Sequence, residues 1–98
     1  MTAEVVWLDS AERDLKEVYR YILEDKPHAA VRYIEDIVDA IGRLAHFPES
    51  ARRYNLRYRV LVVRNHLVFY RFEADSRRVV ISAIVDGRRD VASLIGDT

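Results

Sequence analysis

The hydrophobic pattern of this chain changes its period about halfway along, and this change limits the folds that the chain can adopt. Between residues 10 and 46, apolar side chains recur at the spacing of one face of an α-helix. Beyond residue 57 they come instead in short, nearly continuous runs rich in valine and isoleucine, which is typical of covered β-strands. The 98 residues therefore predict a single domain, 1–98, with a helical half followed by a β half.

Two prolines divide the helical half. The first helix is predicted over residues 10–25, with Asp9 as its N-cap, and it ends before Pro27 because the residue preceding a proline disfavours the helical conformation. The second helix is predicted over residues 28–46 and ends before Pro48. Because only a few residues separate the two helices, they are expected to form an antiparallel hairpin.

Four β-strands are predicted outside this helical hairpin. They cover residues 3–8, 57–64, 67–73 and 78–86. Asn65-His66 is predicted as a two-residue turn between the second and third strands, because asparagine tolerates a positive φ angle. That turn sets the following cross-strand pairs: Arg64 with Leu67, Val62 with Phe69, and Leu61 with Tyr70.

The order of these elements predicts an α+β fold, β-α-α-β-β-β, with the helical hairpin packed on one face of an antiparallel sheet. Residues 47–56 are expected to form a polar connector between the second helix and the sheet. Residues 87–98 are expected either to form one short helical turn or to fray. An exposed edge strand at one end of such a sheet would invite pairing with a partner chain.

Charge is divided between the two halves of the chain. Residues 1–49 carry 11 acidic and 6 basic side chains, whereas residues 50–98 carry 5 acidic and 10 basic ones. Fourteen of the sixteen basic residues are arginines, whose planar guanidinium groups can hold phosphate or carboxylate through paired hydrogen bonds. The second half is therefore predicted to contact nucleic acid or an acidic partner, although single arginines could equally pair with the acidic helices or face solvent.

Six arginines on or beside the predicted strands form the candidate binding surface. They are Arg57, Arg59, Arg64, Arg71, Arg88 and Arg89. Tyr70, in the middle of a strand, could stack on a base or transfer a proton. A tyrosine in a core strand is more commonly a packing residue with its hydroxyl at the edge, and both interpretations stay open. His66 is expected at the surface because it belongs to the predicted turn.

Several kinds of site are not expected in this chain. It has no cysteine, which excludes a thiolate metal site and a thiol nucleophile, and its three histidines lack metal-ligand spacing. No phosphate-binding, dinucleotide-binding or hydrolase motif occurs, so neither a metal nor a cofactor is expected. No apolar run approaches the roughly 18–20 residues that span a bilayer, and the N-terminus lacks a signal-peptide pattern. A soluble cytoplasmic protein is the expectation.

Four segments of the chain carry a resemblance to a known family. They are SAERDLKEVYRYI in the first helix, LAHFPES at the end of the second, YRVLVVRNHLVFYRF in the hairpin, and VVISAIVDGRRD at the last strand. Over residues 3–91 the chain resembles the RelE/ParE superfamily of bacterial type II toxins. The resemblance implies a toxin that a cognate antitoxin neutralises by wrapping an extended, acidic or amphipathic segment around the sheet and helices. A complex with the antitoxin, such as a heterotetramer, is implied as well.

Members of this superfamily differ in their target. RelE-like members cleave mRNA in the ribosome, and ParE-like members inhibit DNA gyrase. Metal-free RNA cleavage requires a base, an acid and cations that stabilise the developing phosphorane charge. If this chain is a nuclease, its expected catalytic residues are Arg59, Tyr70 and Arg88.

Two departures from the nuclease pattern favour the ParE-like branch. Where many relatives place a histidine after the last strand, this chain has Asp86, and its tail contains no tyrosine. An aspartate with its usual pKa near 4 is a poor general acid at neutral pH, so Tyr70, His66 or Glu49 would have to substitute. The prediction is a binding inhibitor of gyrase rather than an enzyme, with a RelE-like mRNA endoribonuclease as the alternative. An inactive family member and a DNA-binding module without toxicity are weaker alternatives.

Overall fold

In this computed structural model, residues 2–88 are described, and they form two α-helices and five β-strands. The elements are β1 (Glu4–Trp7), α1 (Asp9–Asp25), α2 (Ala30–Gly42), β2 (Arg52–Arg53), β3 (Arg59–Val63), β4 (His66–Glu73) and β5 (Arg78–Asp86). Short 3₁₀ turns precede and follow α2, over Pro27–Ala29 and Arg43–Ala45. Within residues 2–88, no helix is long and apolar enough to cross a membrane.

The five strands form one sheet in the order β1-β5-β4-β3-β2, with both helices packed on it. The α+β class and the helical hairpin on a sheet are confirmed. The sheet differs from the prediction in two ways, because β1 pairs parallel to β5 and because β2 extends the sheet beyond β3. The strand β2 lies in the predicted polar connector, and its two exposed arginines show none of the alternation that marks a longer strand.

The predicted register of the β3–β4 hairpin is wrong by two residues. The turn is Arg64-Asn65, with Arg64 at a φ angle of 53°, and His66 is the first residue of β4. The observed pairs run from Val63 with His66 to Arg59 with Tyr70. Because the shift is even, each side chain keeps its predicted face of the sheet. His66 is therefore 9% exposed rather than a surface residue of the turn.

The core lies between the helices and one face of the sheet. It is built from aliphatic side chains of all the larger elements, together with Tyr70. Its largest fully buried members include Ile37, Ile41, Leu44, Val68, Tyr70, Val79 and Ile81. On the opposite face Phe69 is also fully buried, and the rings of Tyr54 and Tyr58 lie edge-on to it at centroid distances of 5.0 and 6.4 Å. Both faces of the central strand β4 are thus covered.

Polar side chains on α1 bind the backbone of β5 next to an irregularity in the β4–β5 pairing at Phe69/Tyr70. The Ser10 hydroxyl donates to the carbonyl oxygen of Ser82 at 2.8 Å. The Asp14 carboxylate accepts from the N–H of Ile84 at 2.9 Å. These bonds satisfy strand groups near the irregularity and join the first helix to the last strand. The predicted Asp9 cap is not formed, since the helix starts at Asp9 and its N-cap residue is Leu8.

Candidate functional site

The six predicted arginines occupy different parts of the sheet. Arg64 and Arg88 line one shallow pocket at the end of the β3–β4 hairpin. Arg59 begins β3 at the opposite end of that strand. Arg71 lies within β4, Arg57 lies in the loop before β3, and Arg89 is outside the described residues. The candidate surface is therefore several local sites, each with its own contacts.

The pocket at the hairpin end, here called the sheet-end pocket, has a volume of about 330 Å³. It is lined by Val62, Arg64, Asn65, Leu67, Gly87 and Arg88. The Gly87 N–H donates to the Asn65 carbonyl oxygen at 2.9 Å, which joins the end of β5 to the hairpin turn. A Cβ atom on Gly87 would lie 3.2 Å from that oxygen, so glycine permits the close approach. Two cationic side chains, Arg64 and Arg88, and two apolar ones, Val62 and Leu67, thus line this pocket.

Arg64 is held in the sheet-end pocket by α2. Its Nε donates to Oδ2 of Asp36 at 2.8 Å, and its Cζ lies 4.9 Å from the centre of the Tyr33 ring. The bond from Arg64 lowers the pKa of Asp36. The Arg64 side chain is nevertheless 45% exposed. The guanidinium therefore has a defined position while part of it remains open to a ligand.

Arg88 is held by a carboxylate of the preceding strand. Its Nε donates to Oδ1 of Asp86 at 3.1 Å, and its Nη2 donates to Oδ2 at 3.0 Å. This two-point contact lowers the pKa of Asp86 to about 2 and raises the pKa of Arg88. Asp86 is thus ionised at neutral pH, and this makes it a poor proton donor. Its carboxylate orients the exposed side chain of Arg88.

His66 lies behind the turn, against α2. The Tyr33 hydroxyl is 2.6 Å from Nδ1 of His66, and it also accepts from the N–H of Asn65 at 3.3 Å. Burial lowers the pKa of His66, partly opposed by the nearby Asp86 carboxylate. Both contacts fit a neutral imidazole whose Nδ1 accepts a hydrogen bond from the Tyr33 hydroxyl. His66 therefore serves as a contact between the helical hairpin and the sheet.

Arg59 and Tyr70 face each other across β3 and β4 and bind the chain that enters the sheet. The Tyr70 side chain is fully buried, its hydroxyl donates to the Pro48 carbonyl oxygen at 2.9 Å, and burial raises its pKa. Nη1 of Arg59, whose side chain is only 17% exposed, donates to the Ala51 carbonyl oxygen at 2.9 Å. The structure thus supports the packing interpretation of Tyr70.

The three residues considered for a nuclease reaction do not meet in one place. Tyr70 lies four residues along β4 from His66, a separation of about 13 Å in a strand. Arg88 lies at the His66 end of the sheet, because His66 pairs with Asp86. Arg59 lies at the Tyr70 end. Arg59 and Tyr70 therefore lie together at one end of the sheet, and Arg88 lies at the other.

The remaining predicted arginines differ in their exposure. Arg71 is half-buried, and it pairs with Glu73 at 3.4 Å. Arg57 is exposed, and its Cζ lies 5.6 Å from the centre of the Tyr58 ring. Tyr33 and Asp36 contribute to the site without having been predicted. Nothing in the periodicity of the sequence indicates that these helical residues contact a hairpin turn about 30 positions away.

The carboxylates and the histidine of the site are engaged in contacts within the chain. Among residues 2–88, no group of three or more His, Asp or Glu side chains could hold a metal ion. The carboxylates next to the arginines, Asp36 and Asp86, have lowered pKa values and are bound in ion pairs.

Comparison with protein families identifies the chain. A family model described as the ParE toxin of the type II toxin–antitoxin system, parDE, matches residues 5–91. The chain belongs to the ParE toxin family. Its α+β architecture and its helical hairpin are those of a RelE/ParE superfamily toxin. Among curated protein sequences, none matches this ParE-family chain.

Solved structures with the same fold come from several toxin systems. The chromosomal ParDE system of P. aeruginosa matches with a TM-score of 0.76 and 20% identity, covering 87% of this chain and 96% of that one. The RelBE2 toxin–antitoxin complex of Mycobacterium tuberculosis matches with a TM-score of 0.57 and 20% identity, covering 88% and 99%. An arginine-substituted E. coli RelE in the free state matches with a TM-score of 0.66 and 12% identity, covering 96% and 93%.

Proposed function

We propose that this ParE-family toxin inhibits DNA gyrase by binding it and cuts no substrate. The observation that carries the proposal is the state of the residues that a nuclease would need. Tyr70 is buried and bound to Pro48, and Asp86 is ionised and bound to Arg88. The partly exposed guanidinium groups of Arg64 and Arg88 can hold a carboxylate or phosphate without any proton transfer.

The experiment compares gyrase supercoiling with cleavage of ribosome-bound mRNA, both in the presence of the purified protein. We expect supercoiling to be blocked at micromolar concentration and the mRNA to stay intact. Arg88→Ala should weaken the inhibition, because it removes an exposed cation from the sheet-end pocket. Arg43→Ala is the matched control, since Arg43 is an exposed arginine that does not line this pocket. Normal supercoiling at micromolar toxin would contradict the proposal.

A RelE-like endoribonuclease remains the second candidate because of one feature. His66 lies between Tyr33 and Asp86, close to the charge of Arg88. An imidazole beside cations is a common acid–base arrangement in RNA cleavage. The discriminating variant is His66→Gln, which would abolish codon-phased mRNA cuts if His66 took part in catalysis. Under the gyrase proposal no such cuts occur with the unmodified protein.

A cognate antitoxin is the proposed partner that neutralises this protein in the cytoplasm. Two of the structures with the same fold are toxin–antitoxin systems or complexes. An extended acidic segment of the antitoxin would complement the exposed arginines of the second half of the chain. Co-expression followed by purification through a tag on the antitoxin tests the association, and the mass of the complex shows whether it is a heterotetramer.

A further inference from the structure

The loop before β3 presents an exposed apolar side chain. Leu56 is 90% exposed, the highest value for any large hydrophobic residue between positions 2 and 88. It stands at the tip of residues 53–58, here called the Leu56 loop, which run from the last residue of the two-residue strand β2 to the residue before β3. A single exposed leucine is ordinary on a protein surface. Leu56 differs because the loop that carries it has a defined conformation and because exposed arginines lie beside it.

The Leu56 loop has a defined conformation. The Asn55 side-chain oxygen accepts from the N–H groups of Arg57 and Tyr58, both at 2.8 Å. The Tyr54 N–H donates to the Tyr58 carbonyl oxygen at 2.9 Å, which closes the loop at its base. The rings of both tyrosines are seated against the buried Phe69. The leucine is thus held out from the surface by a supported turn, and little ordering entropy is lost when it binds.

Three exposed arginines surround this leucine in the chain. They are Arg52, Arg53 and Arg57. None of them takes part in any of the six ion pairs formed among residues 2–88. The Arg53 side chain donates to the carbonyl oxygens of Asn55 and Leu56 in the loop, at 3.5 and 3.3 Å. At the sheet-end pocket, in contrast, Arg64 and Arg88 keep part of their guanidinium groups exposed but also pair with carboxylates of this chain, Asp36 and Asp86.

We propose that the Leu56 loop binds the target enzyme of this toxin. The Leu56 side chain would insert into an apolar pocket of that enzyme, and carboxylates around the pocket would pair with the arginines of the loop. An apolar centre with an arginine rim matches the anatomy of protein interfaces, in which water is excluded around a buried anchor. A protruding side chain needs a concave, preformed pocket. A folded enzyme provides one, whereas a short extended antitoxin segment does not.

The chemistry favours a protein over a nucleic acid. No other strand of residues 2–88 pairs with the outer edge of β2 beside the loop, so a strand of a protein partner could pair there. The inference rests on the proposed function, because gyrase is the enzyme that supplies the pocket.

The test measures binding of full-length variants to purified gyrase, to the cognate antitoxin and to duplex DNA. Leu56→Ser removes the apolar anchor, and Arg57→Glu reverses one charge of the rim. Leu23→Ser and Arg43→Glu are the matched controls, since Leu23 is an exposed leucine on α1 and Arg43 is an exposed arginine without an ion pair among the described residues. The melting temperature of each variant verifies that it is folded.

We expect Leu56→Ser to weaken gyrase binding by about tenfold or more, from the lost burial of one leucine side chain. Arg57→Glu should weaken it as well, while both controls bind like the unmodified protein and antitoxin affinity is retained. Equal gyrase affinity of Leu56→Ser and the unmodified protein would overturn this inference and leave the proposed function standing. A matching loss of antitoxin or DNA affinity would also overturn it. An unmodified protein that does not bind gyrase would instead refute the proposed function, and this inference with it.

Discussion

The hydroxyl of Tyr33 on α2 is hydrogen-bonded to Nδ1 of His66 at the start of β4, with 2.6 Å between the two atoms. This bond links the helical hairpin to the strand that forms the middle of the sheet. The same hydroxyl accepts from the N–H of Asn65 in the hairpin turn. One side chain of α2 therefore holds both the turn and the strand that follows it.

Removal of the Tyr33 hydroxyl should destabilise the protein. In Tyr33→Phe, Nδ1 of His66 and the N–H of Asn65 lose their partner, and we expect the free energy of unfolding to fall by about 1 kcal/mol. Urea denaturation followed by circular dichroism measures the change. Tyr19→Phe is a suitable control, because Tyr19 is a partly exposed tyrosine on α1. A variant as stable as the unmodified protein would show that this bond contributes nothing net.

His66 should make the stability of the protein depend on pH. Burial lowers its pKa below the ordinary value of 6.5, so the unfolded chain binds this proton more readily than the folded one. Between the folded and unfolded pKa values stability therefore rises with pH, and it is lost as the pH falls below 6.5. We expect the melting temperature of the unmodified protein to decrease through this window more than that of His66→Gln. Parallel curves for the two proteins would contradict the shift.

Asp14 should be needed for the junction between α1 and β5. Its carboxylate accepts from the N–H of Ile84, and Asp14→Ala leaves that N–H without a partner. We expect a loss of about 1–3 kcal/mol in unfolding free energy, from a half-buried backbone donor left unpaired. Asp14→Asn retains an acceptor oxygen and should lose less. Chemical denaturation of the two variants side by side tests the difference, and an equal loss in both would point to the charge instead.

Tyr70→Phe should separate structure from catalysis. The substitution removes the bond to the Pro48 carbonyl oxygen, and we expect a loss of about 1 kcal/mol in stability with growth inhibition maintained. Induced expression in cells, together with a melting curve of the purified variant, measures both effects. If Tyr70 acted in catalysis, this conservative change would abolish toxicity in a protein that is still folded.

Hydrophobic periodicity predicted the elements whose burial is regular. Each helix buries one stripe, and in β4 and β5 every residue except Arg78 is buried or half-buried, so their patterns can be read without knowledge of their neighbours. The register of the hairpin could not be predicted in this way. It depends on Arg64, which adopts a positive φ angle while it pairs with Asp36 on α2. That contact joins residues 28 positions apart, and no local rule contains it.

The candidate site shows the same limit. The arginines could be assigned to strands and loops from the sequence. Whether each guanidinium group is free to bind a partner could not be predicted. The Arg59 side chain is hydrogen-bonded to the carbonyl oxygens of Glu49 and Ala51. The Tyr70 hydroxyl is hydrogen-bonded to the carbonyl oxygen of Pro48. His66 was expected at the surface because the turn was placed one residue too late. In each case a tertiary contact determines whether a side chain can meet a partner.

The parallel pairing of β1 with β5 has a consequence for biosynthesis. Glu4 pairs with Arg78, so β1 stays unpaired in a growing chain until β5, which follows both helices and the other three strands, has been made. The strand that joins it, β5, also lies between β1 and β4 and covers the inner edges of both. A nascent chain that ends before β5 therefore leaves an edge of β1 and an edge of β4 unpaired, and it lacks the buried side chains that β5 contributes to the core. Such long-range closure is slow compared with local helix formation. The sheet and the core of this toxin are thus completed only once β5 has been made, and a chain cut short before β5 is expected to be prone to degradation.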